Sequence, residues 1–216
     1  DPGPKCDSME YAHKCVGAWN HIVPALARDT RRALELAANG VPLATWSDSD
    51  LVVYDRCASD TVGSHDEHAP VGFSAFKLVP QWVQRIFYVF DNVTRKEPQC
   101  NQIREARIAY IQRLLPHAHV HLSAGTRQED FAKLVFAPNV FVAAQGSSFA
   151  LWATLANIGQ VWMPMLYGGM TPYIGPRYTW LTDVPLFTPA VCRQLNISES
   201  ALAQSGPQII EWLVNH

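Results

Sequence analysis

Short runs of apolar residues alternate with amphipathic stretches along most of the chain. From Leu51 onward these runs predict buried strands, because they are short and rich in β-branched or aromatic side chains. The predicted strands are Leu51–Tyr54, Arg85–Asp91, His119–Ser123, Val140–Ala144 and Gln160–Met165. The stretches between them predict a short helix around Trp82 within Gly72–Val83, and helices over Gln99–Leu115, from Glu129 to the stop at Pro138-Asn139, and over Phe149–Ala156.

Apolar strands that alternate with helices are typical of a parallel sheet covered on both faces. We therefore predict an α/β fold, a Rossmann-like parallel sheet with helices on both faces. Met9–Trp19 and Pro24–Ala38 predict two helices before the first strand, and Pro207–Val214 predicts a final helix. This pattern divides the chain into an N-terminal helical segment, residues 1–50, and a Rossmann-like domain, residues 51–216. The G-x-G-x-x-G, Walker A and G-x-S-x-G motifs are absent from the sequence.

Composition narrows the class of protein further. The chain has 216 residues, 48% of them apolar, which suits one substantial globular domain. The chain has 17 basic and 19 acidic residues, and its basic residues are not grouped into a tract. This distribution argues against nucleic-acid binding. The longest apolar runs are far shorter than a membrane-spanning helix.

The segment Gly146-Ser147-Ser148 follows a predicted buried strand and opens a predicted helix. Backbone N–H groups at a helix start, together with two hydroxyls, form a typical site for a phosphate group. Serine is also one of the commonest helix caps, so a purely structural role stays open.

A cluster of ionisable residues follows the strand Leu51–Tyr54. It begins with Asp55 and Arg56 and continues through Asp60 to a loop with His65, Asp66 and His68. Side chains at the carboxyl end of a buried strand lie where open α/β sheets bind ligands. The alternatives are a solvated surface loop or a metal site, although the two histidines do not have a familiar metal-ligand spacing.

Five cysteines, at positions 6, 15, 57, 100 and 192, also lack metal-ligand spacing, and their odd number leaves at least one thiol without an internal partner. Cys6 and Cys15 either bridge locally or remain free. Asn92 and Asn196 lie in N-glycosylation acceptor patterns, which weakly favour the secretory route.

Two separated motifs resemble those of the α1,2/α1,6/protein-O-fucosyltransferase superfamily. The first is Leu51-Val-Val-Tyr-Asp-Arg56-Cys-Ala-Ser-Asp60, similar to a strand followed by His-x-Arg and a later Asp. The second runs from Glu129-Asp130-Phe to Gly146-Ser-Ser-Phe-Ala-Leu-Trp152, similar to an Asp-initiated helix followed by a serine-rich helix start. The resemblance covers roughly Leu51–Met165, the nucleotide-binding half of a GT-B glycosyltransferase.

The resemblance implies a role for each matching residue. Arg56 would contact the pyrophosphate of a nucleotide sugar, which suits its planar five-donor guanidinium. Ser147 and Ser148, with the backbone of the Gly146–Phe149 turn, would hold the distal phosphate. Asp130 would accept hydrogen bonds from the base, and guanine would supply suitable donors. The donor would be GDP-fucose, and no metal cofactor would be required.

The sequence departs from the family pattern at two places. Tyr54 stands where the family has histidine, and Asp60 is displaced by one residue. A tyrosine can still donate a hydrogen bond and stack on a base. A non-catalytic relative therefore remains an alternative, with Tyr54 and the Gly63–Pro70 loop filling the pocket.

The function that the resemblance implies is inverting transfer of a fucose-like sugar to a hydroxyl of a glycan or glycoprotein. Arg56, Asp55 and Asp60 are the candidate catalytic residues, and His65 and Asp66 are further candidates for the general base by their loop position. The implied location is the secretory pathway, in the Golgi lumen, with any anchor upstream of Asp1. Two other readings stay open: an assembly subunit with protein partners, and a carbohydrate-binding module. The module would use surface aromatic side chains, namely Trp162, Tyr167, Tyr173 and Trp180.

Overall fold

The computed structural model describes residues 9–38, 45–57, 62–63, 69–90, 97–123, 125–164 and 177–216, with the backbone alone for residues 9–22 and 199. The strands are β1 (Asp50–Asp55), β2 (Arg85–Phe90), β3 (His119–Leu122), β4 (Asn139–Val142), β5 (Gln160–Pro164) and β6 (Tyr178–Leu181). The helices are α1 (Met9–Ala37), α2 (Pro98–Leu114), α3 (Arg127–Phe136), α4 (Ser148–Ala156), α5 (Pro189–Gln194) and α6 (Gly206–Asn215), with 3-10 helices at Phe73–Leu78 and Glu199–Gln204.

The six strands form one sheet in the order β3-β2-β1-β4-β5-β6, and each neighbouring pair is parallel. The predicted Rossmann-like α/β fold is therefore confirmed. The chain builds the sheet outward from β1 to β3, then returns to place β4 on the other side of β1. Strand order reverses between β1 and β4, and ligands of open α/β sheets bind beside such a reversal.

The sheet separates two apolar clusters. Val52 and Tyr54 of β1 contribute to the cluster with α1, α3 and α4, while Leu51 and Val53 contribute to the cluster with α2 and the Phe73–Leu78 3-10 helix. This assignment follows from the alternation of side chains along a strand. Because both faces are covered, β1 and β4 are buried along their whole length, which explains their uninterrupted apolar runs.

Local signals fix the starts of the helices beside the sheet. Thr126 and Glu129 form a capping box at the start of α3, where Thr126 Oγ1 accepts from the Glu129 N–H and a Glu129 carboxylate oxygen accepts from the Thr126 N–H. The hydrogen bond from the Thr126 N–H, and then the Thr126 side chain, lower the pKa of the Glu129 carboxyl. Gly146, in the turn from β4 to α4, has a φ of +74°, a conformation that favours glycine.

The N-terminal segment packs against the same layer as α3 and α4. Arg31 Nη1 donates to the Val135 carbonyl oxygen at 2.9 Å, and its guanidinium lies 4.4 Å from the centre of the Phe136 ring. Val23 belongs to the apolar cluster that contains Val52 and Tyr54. Residues 23–37 of α1 therefore cover part of the sheet together with α3 and α4.

Two local predictions were wrong, and two short elements were not predicted. The two helices expected before the first strand are one helix, α1, with Pro24 in its interior. The short helix expected around Trp82 lies earlier, at Phe73–Leu78, and Trp82 occupies a turn before β2. The strand β6 and the helix α5 were not predicted, because both are short and carry no long apolar run.

Candidate functional site

A cavity of about 240 Å³ opens where β1 and β2 end and α3 begins. Its wall combines aromatic and aliphatic side chains with two arginines and one carboxylate. The lining residues are Tyr54, Arg56, Val89, Phe90, Gly125, Arg127, Asp130 and Phe149. Four of these (Tyr54, Arg56, Asp130 and Phe149) are residues that the sequence assigned to nucleotide-sugar binding. The fold brings them together from segments that lie far apart in the chain.

The apolar wall is built from stacked rings. Tyr54 and Phe149 are stacked with ring centres 5.6 Å apart, and Phe131 meets Phe149 edge to face at 5.3 Å. Phe131 and Phe149 themselves pack against the core cluster below. Such a wall is fixed in place before any ligand arrives, and its ring faces suit a flat heterocycle.

Asp130 contributes a carboxylate whose orientation is fixed by its neighbours. Its Oδ1 accepts from Ser123 Oγ at 2.5 Å and from Lys133 Nζ at 2.9 Å, and Lys133 Nζ also donates to Ser123 Oγ at 2.7 Å. No described residue donates to Asp130 Oδ2. Since Asp130 is 9% exposed and lines the cavity, this oxygen is available to a hydrogen-bond donor on a ligand.

Two cationic side chains line the same cavity. Arg56 follows the last residue of β1, and Arg127 is the first residue of α3. Arg127 is exposed and forms no ion pair with any described residue. Sequence reasoning missed Arg127, although it lies three residues before Asp130 and therefore on the same helix face. Two guanidinium groups beside an apolar wall favour a ligand that combines an aromatic ring with an anion.

Ser147 and Ser148 lie next to the cavity and do not line it. The Ser147 hydroxyl caps α4 by accepting from the Ala150 N–H at 3.3 Å, and it donates to the Tyr54 hydroxyl at 3.2 Å. Ser147 is 2% exposed, whereas Ser148 is exposed. The hydroxyl that was expected to bind phosphate is therefore engaged in a helix cap and a bond to Tyr54.

Asp55 does not lie in a solvated loop, which was one of the alternatives for this segment. Asp55 is the last residue of β1 and is fully buried. Its Oδ1 accepts from Arg107 Nη1, and its Oδ2 accepts from the Tyr88 hydroxyl at 2.5 Å. Because side chains alternate along β1, Asp55 points toward α2 while Tyr54 and Arg56 border the cavity. This placement argues against Asp55 as the general base.

The ionisation of this buried group of three follows from its surroundings. Burial, and then the Asp55 carboxylate, raise the pKa of the Tyr88 hydroxyl well above its ordinary value. Burial alone would lower the pKa of the Arg107 guanidinium, but Asp55 and Tyr88 raise it above its ordinary value. Arg107 is therefore a permanent cation whose charge is balanced inside the protein.

Several sequence-predicted residues lie outside the described part of the chain. These are Asp60, His65, Asp66, His68, Asn92, Tyr167 and Tyr173. Asn196, the other glycosylation candidate, is exposed in the turn after α5 and has a φ of 55°. Within the described residues, no group of three or more His, Cys, Asp or Glu side chains is arranged to hold a metal ion. No described helix is both long and apolar enough to cross a membrane.

A carbohydrate-binding module would present Trp162 at the protein surface, and the structure contradicts this position. This side chain is only 7% exposed and belongs to the core beside α2. Trp180 is half-buried and stacks on Tyr178 with ring centres 5.3 Å apart. Neither tryptophan is presented as a free surface platform.

Cys57 and Cys100 form a disulfide, and Cys192 is a buried free thiol. The disulfide joins the end of β1 to the first turn of α2. Both sulfurs are inaccessible, since Cys57 and Cys100 are fully buried. Neither residue offered a pairing signal in the sequence, because they are 43 positions apart.

No family model matches the sequence, and comparisons with curated proteins and with solved structures likewise find no match. The fold and the geometry of the cavity are therefore the basis for a functional proposal.

Proposed function

We propose that this chain holds a nucleoside diphosphate sugar in the cavity beside β1 and serves as the donor-binding half of an inverting, fucosyltransferase-like enzyme. The observation that carries the proposal is the convergence of a ring wall, a fixed carboxylate and two arginines in one cavity. The resemblance of the Leu51–Asp60 and Glu129–Trp152 motifs supports the choice of a sugar nucleotide over other ligands of this chemistry.

In this proposal the base lies against Phe149, and Asp130 Oδ2 accepts from its edge. Guanine presents a ring N–H and an amino group side by side, which suits a carboxylate acceptor. The cavity volume of about 240 Å³ lies below the roughly 300–1,000 Å³ of common ligand pockets. The cavity therefore encloses the base and part of the ribose, and the diphosphate extends toward the arginines.

Arg56 and Arg127 would balance the charge of the diphosphate. During transfer, the acceptor hydroxyl oxygen forms a bond to the anomeric carbon while the bond from that carbon to the phosphate oxygen breaks. The leaving nucleoside diphosphate keeps the electron pair, and the guanidinium groups stabilise the added negative charge. A general base takes the proton of the acceptor hydroxyl. Asp60, His65 and Asp66 remain the proposed candidates for that base.

A non-catalytic nucleotide-binding relative is the second candidate function. The observation that favours it is the hydrogen bond between Tyr54 and Ser147, which engages the start of α4 where a phosphate was expected. A transfer assay with GDP-fucose separates the two candidates. The enzyme would release GDP in the presence of an acceptor glycan, whereas the non-catalytic relative would bind GDP without turnover.

The experiment that tests the shared part of both candidates is isothermal titration with GDP, UDP and GDP-fucose in a buffer without metal. Arg56→Ala should weaken GDP binding about ten- to hundredfold, since one charge-assisted hydrogen bond contributes about 1.5–3 kcal/mol. Asp130→Asn should weaken GDP binding more than UDP binding, because it removes a carboxylate acceptor for guanine. Ser148→Ala tests whether the start of α4 also contributes.

Arg113→Ala is the matched control, because this arginine lies in the last turn of α2, which leads to the amino end of β3, whereas the cavity lies at the carboxyl ends of β1 and β2. It should leave GDP affinity unchanged. The site assignment is wrong if the wild-type protein binds no nucleotide, or if Arg56→Ala and Arg113→Ala have the same effect.

A further inference from the structure

The chain around Arg56 is tied to α2 at two positions. Asp55, on one side of Arg56, forms a salt bridge with Arg107 of α2, in which Asp55 Oδ1 accepts a hydrogen bond from Arg107 Nη1. Cys57, on the other side, is joined by the disulfide to Cys100 in the first turn of α2. The residues immediately before and after Arg56 are thus both anchored to the same helix.

Both anchors lie on the face of β1 opposite the cavity. Asp55 points toward α2, and Cys57 belongs to the apolar cluster that includes Cys100 and Ile103. Arg56, between them, lines the cavity on the other face. Anchoring of both neighbours therefore fixes the backbone of Arg56 without occupying the side of the strand that faces a ligand.

The anchors are themselves held rigidly. All four side chains (Asp55, Cys57, Cys100 and Arg107) are completely buried. Tyr88 of β2 donates to the second oxygen of Asp55, so this carboxylate is held from two elements. The helix α2 that carries Cys100 and Arg107 packs in turn against α6.

We propose that the Cys57–Cys100 disulfide and the Asp55–Arg107 ion pair form a clamp that positions Arg56 for the anionic part of the ligand. This inference rests on the proposed function, in which Arg56 binds the diphosphate. Arg56 lies beyond the last residue of β1, where a free chain would sample many backbone conformations. A guanidinium held in place before binding loses less freedom on contact with a phosphate, so its hydrogen bonds contribute more to affinity.

The test compares GDP with guanosine, because only GDP carries the anionic group. The dissociation constant of guanosine divided by that of GDP measures how much the diphosphate contributes to affinity. A larger ratio means a larger contribution. In C57A/C100A we expect this ratio to fall about tenfold, while guanosine affinity stays within about twofold of wild type. Adding Arg56→Ala to C57A/C100A should reduce the ratio less than Arg56→Ala does in the wild-type protein.

Leu213→Ala is the matched control. Leu213 lies on α6 in the same apolar cluster as Cys57 and is fully buried, so its truncation destabilises the protein without cutting the clamp. The ratio should be unchanged in this variant. If C57A/C100A does not fold, Asp55→Asn removes the ion pair of the clamp instead. This variant keeps the disulfide and nearly the same side-chain shape, and its ratio should also fall.

An unchanged ratio in a folded clamp variant, or an equal fall in Leu213→Ala, would overturn the clamp while leaving nucleotide binding intact. A wild-type protein that binds guanosine and GDP equally well would overturn the clamp together with the diphosphate role of Arg56. A wild-type protein that binds neither would overturn the proposed function and the clamp with it.

Discussion

Replacement of Arg107 by methionine should destabilise the protein strongly, because it leaves the Asp55 carboxylate buried without its cation. Asp55 and Arg107 both have 0% side-chain exposure. The Tyr88 hydroxyl would remain as the partner of Asp55, but it carries no charge. Methionine fills a similar volume without adding a polar group, so the change isolates the loss of charge from the creation of a cavity.

The expected loss is about 3–5 kcal/mol of unfolding free energy, the usual effect of removing one partner of a buried ion pair. For a protein of this size, about 1 kcal/mol lowers Tm by roughly 2–4 °C, so Tm should fall by about 6–20 °C. Urea unfolding followed by circular dichroism measures the free energy directly. Arg113→Met is the matched control on the same helix, and as an exposed substitution it should stay within about 0.5 kcal/mol of wild type.

Removal of both charges should be far less harmful than removal of one. The Arg107 Nε and Nη2 groups are buried and have no hydrogen-bond partner in the described structure, so the pair does not fully compensate its own desolvation. The double variant D55L/R107M should therefore be more stable than R107M, and the two changes should be strongly non-additive. A loss below about 1 kcal/mol in R107M, or additive effects in the double variant, would refute this reasoning.

Variants at three further positions test other parts of the fold. Burial raises the pKa of Tyr88 above its ordinary 10.0, so the unfolded chain loses the hydroxyl proton at a lower pH than the folded protein does. The free energy of unfolding should therefore fall as pH rises above about 10, by up to about 1.4 kcal/mol per pH unit. Tyr88→Phe should flatten that slope in urea titrations, and an unchanged slope would contradict the assignment. Thr126→Ala should lower the free energy of unfolding by about 0.5–2 kcal/mol, as measured by thermal unfolding, because it removes the cap of α3. Thr126→Asn keeps a capping side chain and should lose less, so equal losses in the two variants would argue against the capping box. Gly159→Ala should destabilise by about 1–3 kcal/mol or more in the same assay, because its Cβ would overlap the Pro138 carbonyl oxygen, and a gain in stability would contradict that geometry.

The sheet could be predicted from the sequence because each central strand is buried on both faces. Asp50–Asp55 and Asn139–Val142 lie between two helical layers, so their apolar runs have no polar interruption. Tyr178–Leu181, an edge strand of four residues, was missed because its sequence neither alternates strictly between polar and apolar residues nor forms a long apolar run. Pro24 was read as the start of a helix, the position where proline is most common, yet it lies inside α1.

The candidate site could be predicted only in part. Tyr54, Arg56, Asp130 and Phe149 were identified because they occupy recognisable positions in two motifs. Arg127 was missed because an isolated arginine at a helix start carries no distinguishing pattern. Val89, Phe90 and Gly125 also line the cavity, and they reach it only through the pairing of β2 with β1 and β3, which the local sequence does not reveal.

Asp55 was a candidate catalytic residue for a related reason. Its position after a buried strand resembles that of a catalytic carboxylate, and its partner Arg107 is 52 residues away. Only the packing of α2 against the sheet shows that the carboxylate is neutralised internally. The same packing supplies Cys100 as the partner of Cys57, 43 residues away.

The most direct test of the central claim is a crystal structure of the protein with GDP, prepared without added metal. The proposal predicts the guanine ring against Phe149 with its edge toward Asp130, and the diphosphate within hydrogen-bond distance of Arg56. Nucleotide bound at a different surface, or an empty cavity at a GDP concentration that saturates the protein in solution, would contradict it.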